Sequence, residues 1–294
     1  MEHAMNLTPS TAVDFDAALI AKLSQQGPRY TSYPTADRFP LLTGHADYAA
    51  VVHGLGAAPT RLPLSLYLHI PFCESLCYYC ACNKIITKER QGGHLPDLPQ
   101  ARDQHAGRFA GQRAAGRAAA PGGRHADLPV GRPDGRTDGP PARQLRLCRR
   151  RLAGEYSIEI DPRTVDAARI FSLRRQGFNR ISLGVQDFDP DVQEAVNRIQ
   201  PEALTLDAIR ASREGGFRSI SIDLIYGLPR QTLTTIAQTL AKVVAASPDR
   251  ISIYNYAHMP QLFKSQRLIV DAELPGDQDK LAMLGLCIER LTAA

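Results

Sequence analysis

Tyr67-Leu-His-Ile-Pro-Phe-Cys-Glu-Ser-Leu-Cys-Tyr-Tyr-Cys-Ala-Cys82 sets three thiols, Cys73, Cys77 and Cys80, at C-x3-C-x2-C spacing directly behind a short apolar run. Three cysteines on one short loop can wrap a corner of a cubane and ligate three of its irons, although a [4Fe-4S] cluster normally takes four. The fourth iron then keeps an open position, which is how a metal site leaves room for a reactant. A structural zinc site on Cys73, Cys77, Cys80 and Cys82 is the alternative. Zinc knuckles pair two C-x2-C elements across a spacer, however, and the other thiols, Cys148 and Cys287, are distant and isolated. Six cysteines in 294 residues, four of them crowded together, are not the spacing of a secreted disulfide scaffold, so a reducing compartment is expected.

Working outward from this loop, strand-like and helix-like patterns alternate, as in a parallel α/β protein. Strands are expected at 64–69, 156–160, 180–185, 219–225 and 250–256, and helices at 165–175, 201–214, 232–246 and 278–291. Side chains of a strand alternate faces. Ile158/Ile160, Ile181/Leu183/Val185, Ile220/Ile222/Leu224 and Ile251/Ile253 therefore form one surface for the helices to cover. The opposite surface carries Ser157/Glu159, Ser182/Gly184/Gln186, Ser219/Ser221/Asp223 and Ser252/Tyr254. Buried parallel strands usually read apolar on both faces. A lumen of small and polar residues instead predicts a cavity for polar ligands, with Glu159, Gln186 and Asp223 near the strand ends where barrel enzymes keep their chemistry.

The cysteine run, with Arg29-Tyr-Thr-Ser-Tyr-Pro-Thr-Ala36, Ser157-Ile-Glu-Ile-Asp-Pro-Arg163, Gly177-Phe-Asn-Arg-Ile-Ser-Leu-Gly-Val-Gln-Asp-Phe188, Asn197-Arg198, Ile222-Asp-Leu-Ile-Tyr-Gly-Leu-Pro229 and Asn255-Tyr-Ala-His258, resembles the radical S-adenosylmethionine superfamily. Within it, the set resembles the oxygen-independent coproporphyrinogen III oxidases (coproporphyrinogen dehydrogenases) of haem and porphyrin biosynthesis. The likeness covers roughly 27–92 and 153–294 and fails between them. It implies a partial (β/α)6 radical-SAM (TIM-like) barrel over 61–294 behind an N-terminal extension, 1–60, with the family's remaining strand and C-terminal domain absent.

The resemblance also implies an oxidoreductase that converts two propionates of coproporphyrinogen III to vinyl groups, giving protoporphyrinogen IX. A 5'-deoxyadenosyl radical would abstract hydrogen from each propionate β-carbon, with loss of carbon dioxide and one further electron. The implied cofactors are a [4Fe-4S] cluster on Cys73, Cys77 and Cys80, with Cys82 left without a role, and S-adenosylmethionine, two molecules per site. Tyr67, Tyr79, Glu159, Gln186, Arg198, Asp223 and Ala257 are carried onto S-adenosylmethionine contacts. Carboxylates and amides suit its ribose hydroxyls and ammonium, and the Arg198 fork suits a carboxylate. A monomer is implied, with an electron donor such as a flavodoxin or ferredoxin. No catalytic base is assigned, since lone histidines such as His69 and His258 are more often simply hydrogen-bonded. The rival readings are a haem-binding chaperone of the same superfamily, against which the C-x-C ending at Cys82 and the following Asn-Lys-Ile argue, and an inactive remnant.

Composition agrees with a cytoplasmic enzyme: 44% hydrophobic residues suits a soluble core, no apolar run spans a bilayer, and no export signal opens the chain. The net charge of +5 does not predict a nucleic-acid partner, because residues 93–152 hold 12 Arg against 5 Asp with no Lys or Glu, leaving the remainder at −2. That stretch has no Ile, Tyr, Asn, Ser or Met and is dominated by Arg, Ala, Gly and Pro. At face value it is a disordered basic linker. Sixty structureless residues inside a barrel contradict ordinary loop lengths, and the composition fits GC-rich DNA read out of frame. Shifting the codons by one nucleotide permits HLGGGTPTFLS across 120–130 and TYLTYLKREI across 94–103. The first is a GGGTP-type turn of the kind that the resembled family carries after its second strand; the second is an amphipathic helix. Compensating frameshifts near Gly93 and Leu152 are therefore expected, with no second barrel strand formed by the residues as they stand.

Overall fold

Isoleucine, leucine and valine at alternate positions dictate a sheet buried under helices on one face. In the computed structural model, Ile158, Ile160, Ile181, Leu183, Val185, Ile220, Ile222 and Leu224 are each at most 2% exposed. The structure describes residues 15–23, 35, 38, 45–57, 64–87, 116–122 and 154–294. Helices α1 (Ala17–Leu23) and α2 (His45–Ala57) precede strand β1 (Leu64–His69), and short strands β2 (Phe72–Cys73) and β3 (Ile85–Ile86) bracket the cysteine loop. There follow β4 (Gly116–Gly122), β5 (Ser157–Ile160), α3 (Ala167–Gln176), β6 (Arg180–Gln186), α4 (Pro190–Ala195) and α5 (Glu202–Glu214). β7 (Ser219–Tyr226), α6 (Leu233–Ala246), β8 (Arg250–Asn255) and α7 (Asp277–Thr292) complete the order.

Strands β5, β6, β7 and β8 form one parallel sheet in that order, with Ile158, Ile181 and Ile220 in register. Strand β1 pairs in parallel with β4, and β4 lies beside β5, so this two-stranded parallel sheet adjoins the four-stranded one in chain order, as the expected partial barrel requires. Ile170 and Leu173 of α3, Ala208 and Ile209 of α5, Leu240 and Val243 of α6, and Met283 and Cys287 of α7 cover the apolar face. Burial pushes the Cys287 thiol up to about 11, as suits a thiol packed as a small hydrophobe. Within the expected extension 1–60, α1 lies against α7.

Element ends follow local capping. Helix α3 starts at Ala167, two residues after the expected 165, because Asp166 accepts the Arg169 N–H at 2.8 Å, and it ends at left-handed Gly177. Thr232 and Thr235 cap α6 reciprocally, moving its start to Leu233. Helix α4, six residues long, is too short for helical periodicity to reveal.

The composition of 93–152 predicts no strand there, and β4 corrects that expectation. Residues 116–122 pair with β1 from Leu64 opposite Gly116 to His69 opposite Gly122, with a register shift between Leu64 and Leu66. A ladder is made by backbone N–H and C=O groups, so seven residues of Gly, Arg, Ala and Pro can occupy a strand position without a β-branched side chain. The disorder expected of the rest of 93–152, the reconstructed helix at 94–103 and the part of the reconstructed turn that follows 122 fall on residues outside those described.

Candidate active site

The cysteine loop is held over the C-terminal ends of the strands by its own apolar residues. Cys77, Tyr79 and Cys80, each at most 5% exposed, pack with Val192 and Val196 around α4, Ile225 of β7, Leu228, Tyr256 just past β8, and Ile269. Polar groups fasten the loop backbone. The Tyr78 N–H donates to the Val196 carbonyl at 2.9 Å, and Asn197 Nδ2 to the Leu76 carbonyl at 2.7 Å. Gln266 Nε2 donates to the Tyr79 and Ala257 carbonyls at 3.1 and 3.2 Å, joining the loop to the end of β8. Ser265 Oγ and Lys84 Nζ both donate to the Cys80 carbonyl, at 2.9 and 2.8 Å. Ser265 and Gln266 are buried, a role their polar surroundings in the sequence do not announce.

None of Cys73, Cys77, Cys80 and Cys82 is in a disulfide; Cys73 is half-buried, Cys77 and Cys80 are buried, and Cys82 is exposed. Among the described residues no three His, Cys, Asp or Glu side chains converge as ligands of a single ion would. A cubane makes no such demand, because each thiolate bonds a different iron.

Beside Cys77 lies a charged cluster of which only Arg198 was expected at the site; Asp161 and Arg163 were not. Arg163 Nη2 and Arg198 Nη1 each approach Cys77 Sγ at 3.5 Å. Asp161 holds both guanidiniums, accepting Arg163 Nη2 at 2.7 Å and Arg198 Nη1 at 2.8 Å on Oδ2. The Asp161 and Arg198 side chains are each 1% exposed. Burial works to raise the Asp161 carboxyl, but the Arg198 charge and the Arg163 hydrogen bonds and charge outweigh it and hold the group well below the usual carboxylate range. The signal available in the sequence was Asp-Pro-Arg closing a strand: Asp161 also caps the turn Pro162–Thr164 by accepting the Arg163 N–H at 3.0 Å.

The other expected site residues gather at the same strand ends. Gln186 closes β6 with a left-handed φ of 72°, where the β6–β7 register shifts between Gly184 and Gln186. Its amide and the Arg198 guanidinium lie over Gly184: a Cβ there would stand 3.0 Å from Gln186 Nε2 and 3.3 Å from Arg198 Nη2. Arg198 Nη2 also donates to the Gly184 carbonyl at 2.5 Å. Asp223 sits opposite Gly184 and accepts the Ser182 hydroxyl at 3.1 Å. Glu159, half-buried on β5, pairs in register with Ser182. Tyr67 is exposed on β1; burial of part of its ring, then the charges of Glu159 and Cys82, push its phenol up. Tyr79 is buried in the loop's apolar cluster, and Ala257 follows β8 with its carbonyl on Gln266. His69 and His258 are hydrogen-bonded as expected: His69 Nε2 to the Asn83 carbonyl at 2.7 Å, His258 to Tyr256 Oη and Asp271 at 2.8 and 2.9 Å.

A family description, Radical SAM superfamily, matches residues 67–243, spanning the cysteine loop and the strands that carry Glu159, Gln186 and Asp223. The chain belongs to the radical SAM superfamily. It is 43% identical over 286 residues to the oxygen-independent coproporphyrinogen III oxidase of Escherichia coli, covering 95% of this chain and 60% of that protein. The Pseudomonas aeruginosa enzyme of the same name is 43% identical over 295 residues, covering 96% and 61%. The solved structure of the Escherichia coli enzyme superposes with a TM-score of 0.78 at 40% identity, over 96% of this chain and 62% of that one. The chain thus spans about 60% of the length of these relatives. Radical SAM membership implies a [4Fe-4S] cluster and S-adenosylmethionine. The residues fit them: a loop of reduced thiols in which Cys77 Sγ receives two guanidinium N–H groups suits a metal-bound thiolate, and a lumen with Glu159 and Asp223 suits an ammonium and ribose hydroxyls. Among the described residues no helix is long and apolar enough to cross a membrane.

Proposed function

We propose that this chain is the cofactor-binding barrel of an oxygen-independent coproporphyrinogen III oxidase, which decarboxylates two propionates of coproporphyrinogen III to vinyl groups. One observation carries the reading: Arg198 reaches from Cys77 of the cysteine loop to Gly184, where Gln186 and Asp223 also lie, in a chain 43% identical across 95% of its length to an enzyme of that name. When bound, cluster and S-adenosylmethionine would supply a one-electron cleavage whose adenosyl radical takes hydrogen from the propionate β-carbon. Cys73, Cys77 and Cys80 hold the cluster. Glu159, Asp223 and Gln186 bind and orient S-adenosylmethionine, with Tyr67, Tyr79, Arg198 and Ala257 completing its contacts, and two such molecules serve the two propionates. The apolar packing of Tyr79, Ile225 and Tyr256 shields the reacting atoms from water. A flavodoxin or ferredoxin delivers electrons to a monomeric, cytoplasmic enzyme.

Residues 93–152 belong to this proposal as an out-of-frame stretch. In the restored reading the glycines fall at 122–124, directly where β4 ends beside His69 of β1, and glycine backbone can approach a cofactor's amino end where Arg124-His-Ala-Asp127 cannot. The test is anaerobic turnover of coproporphyrinogen III, with vinyl products measured. The 294-residue chain as it stands is expected to form none, and a frame-restored chain carried to its relatives' full length is expected to form them. In that restored protein Asp223→Ala should abolish turnover and leave the fold intact. Turnover by the chain as it stands refutes the frame assignment, and full turnover with Asp223→Ala makes Asp223 structural.

A further inference from the structure

The geometry points to a further positioning residue: Arg163, clamped by Asp161 beside Arg198, directs a net positive pair of donors onto Cys77 Sγ and raises the reduction potential of the cluster that Cys77 ligates. This rests on the reading that the cysteine loop holds a [4Fe-4S] cluster. Nothing about Arg163 in the sequence predicts contact with a cysteine 86 residues earlier; the contact exists because β5 ends beside the loop and the turn at Pro162–Thr164 returns the side chain toward it.

The clamp is unusually well determined. Arg163 Nε reaches Asp161 Oδ1 at 3.0 Å and Oδ2 at 3.2 Å, and Nη2 reaches Oδ2 at 2.7 Å. That two-sided grip fixes the plane of the guanidinium and leaves Nη2 at 3.5 Å from Cys77 Sγ. Arg198 approaches the same sulfur at the same distance and is held by the same carboxylate oxygen. Two guanidiniums and one carboxylate carry a net charge of +1, and the Arg163, Arg198 and Asp161 side chains are only 16%, 1% and 1% exposed, so water screens them weakly. Reduction adds one electron to the cluster and hence one negative charge on its irons and sulfurs. Hydrogen bonds to the sulfurs and nearby positive charge favour the more negative state, which moves the potential upward. Lysine could supply the charge at 163, but as a point donor it cannot grip both Asp161 oxygens in one plane and aim at the sulfur together.

The experiment reconstitutes the 294-residue chain, Arg163→Gln and Arg163→Lys with iron and sulfide under anaerobic conditions. Iron content is then measured, and the cluster is titrated with dithionite by electron paramagnetic resonance without added S-adenosylmethionine. Arg163→Gln, which loses both charge and donor, is expected to bind parental iron and be about tenfold harder to reduce, a fall of about 59 mV for one electron. Arg163→Lys should lie between the two. A parental potential in Arg163→Gln at equal iron content overturns the proposal and leaves the cluster reading standing. If Arg163→Gln takes up no iron, Arg163→Lys decides: a lowered potential supports the clamp and a parental one refutes it. No iron in the parent removes the cluster reading and the proposal together. An Arg163 that served only the fold would shift the melting temperature and leave the potential unchanged.

Discussion

Asn197 Nδ2 donates to the Leu76 carbonyl at 2.7 Å, tying the cysteine loop to the end of α4 across 121 residues of sequence. Asn197 holds a left-handed φ of 53°, which asparagine tolerates better than most residues. Asn197→Asp keeps that tolerance and sets an acceptor against the Leu76 carbonyl. The expected result is a loss of about 1 kcal/mol of stability and faster iron release from the reconstituted protein. Chelator-challenge kinetics beside a thermal melt will check it, and parental iron release would show the tether to be dispensable.

The cysteines should divide three against one. Cys73→Ala, Cys77→Ala and Cys80→Ala are each expected to lose the oxygen-sensitive cluster chromophore after reconstitution, while exposed Cys82→Ala keeps it. Stoichiometric zinc in the purified protein, with no iron uptake, would restore the four-thiol zinc alternative.

Gly184→Ala tests how closely Gln186 and Arg198 crowd the lumen. A Cβ 3.0 and 3.3 Å from their nitrogens forces two buried side chains to shift, one of them tied to Asp161. Destabilisation of about 1–3 kcal/mol is expected, together with weaker S-adenosylmethionine binding by calorimetry on the cluster-loaded chain. Unchanged binding would place Gln186 and Arg198 outside the cofactor's reach.

Asp161 links the site to acid stability. Removing it by Asp161→Ala leaves Arg198 buried without its carboxylate, and breaking such a pair costs about 3–5 kcal/mol. Because the folded carboxyl titrates below its unfolded value of about 4, its contribution is complete above that pH and is lost as pH falls toward the folded value. The gap in urea midpoint between parent and Asp161→Ala should therefore be widest near neutrality and narrow below about pH 4. A pH-independent gap would mean that packing, and not charge, sets the cost.

Strand positions, the apolar face and the cysteine loop were legible because each depends on spacing within one short stretch. Ile181, Leu183 and Val185 alternate with Ser182 and Gly184, and a buried ladder requires that alternation wherever the strand lies. Strand β4 was not legible, because its pairing comes from backbone groups and its Gly, Arg, Ala and Pro side chains carry no strand signal. Helix α4 was lost to its shortness, and Ser265 and Gln266 to their polarity: buried polar residues cannot be told from surface ones until their partners, here the Cys80 and Tyr79 carbonyls, are in place.

The sequence by itself determined the thiol spacing at Cys73, Cys77 and Cys80, the polar strand face of Glu159, Ser182 and Asp223, and the parallel α/β order, since periodicity and local chemistry follow from neighbouring residues alone. Only the tertiary structure decided that Asp161, Arg163 and Arg198 meet at Cys77, across separations of 86 and 121 residues. Charged groups acquire such partners through burial, and burial exists only once β5, the end of α4 and the cysteine loop have packed together.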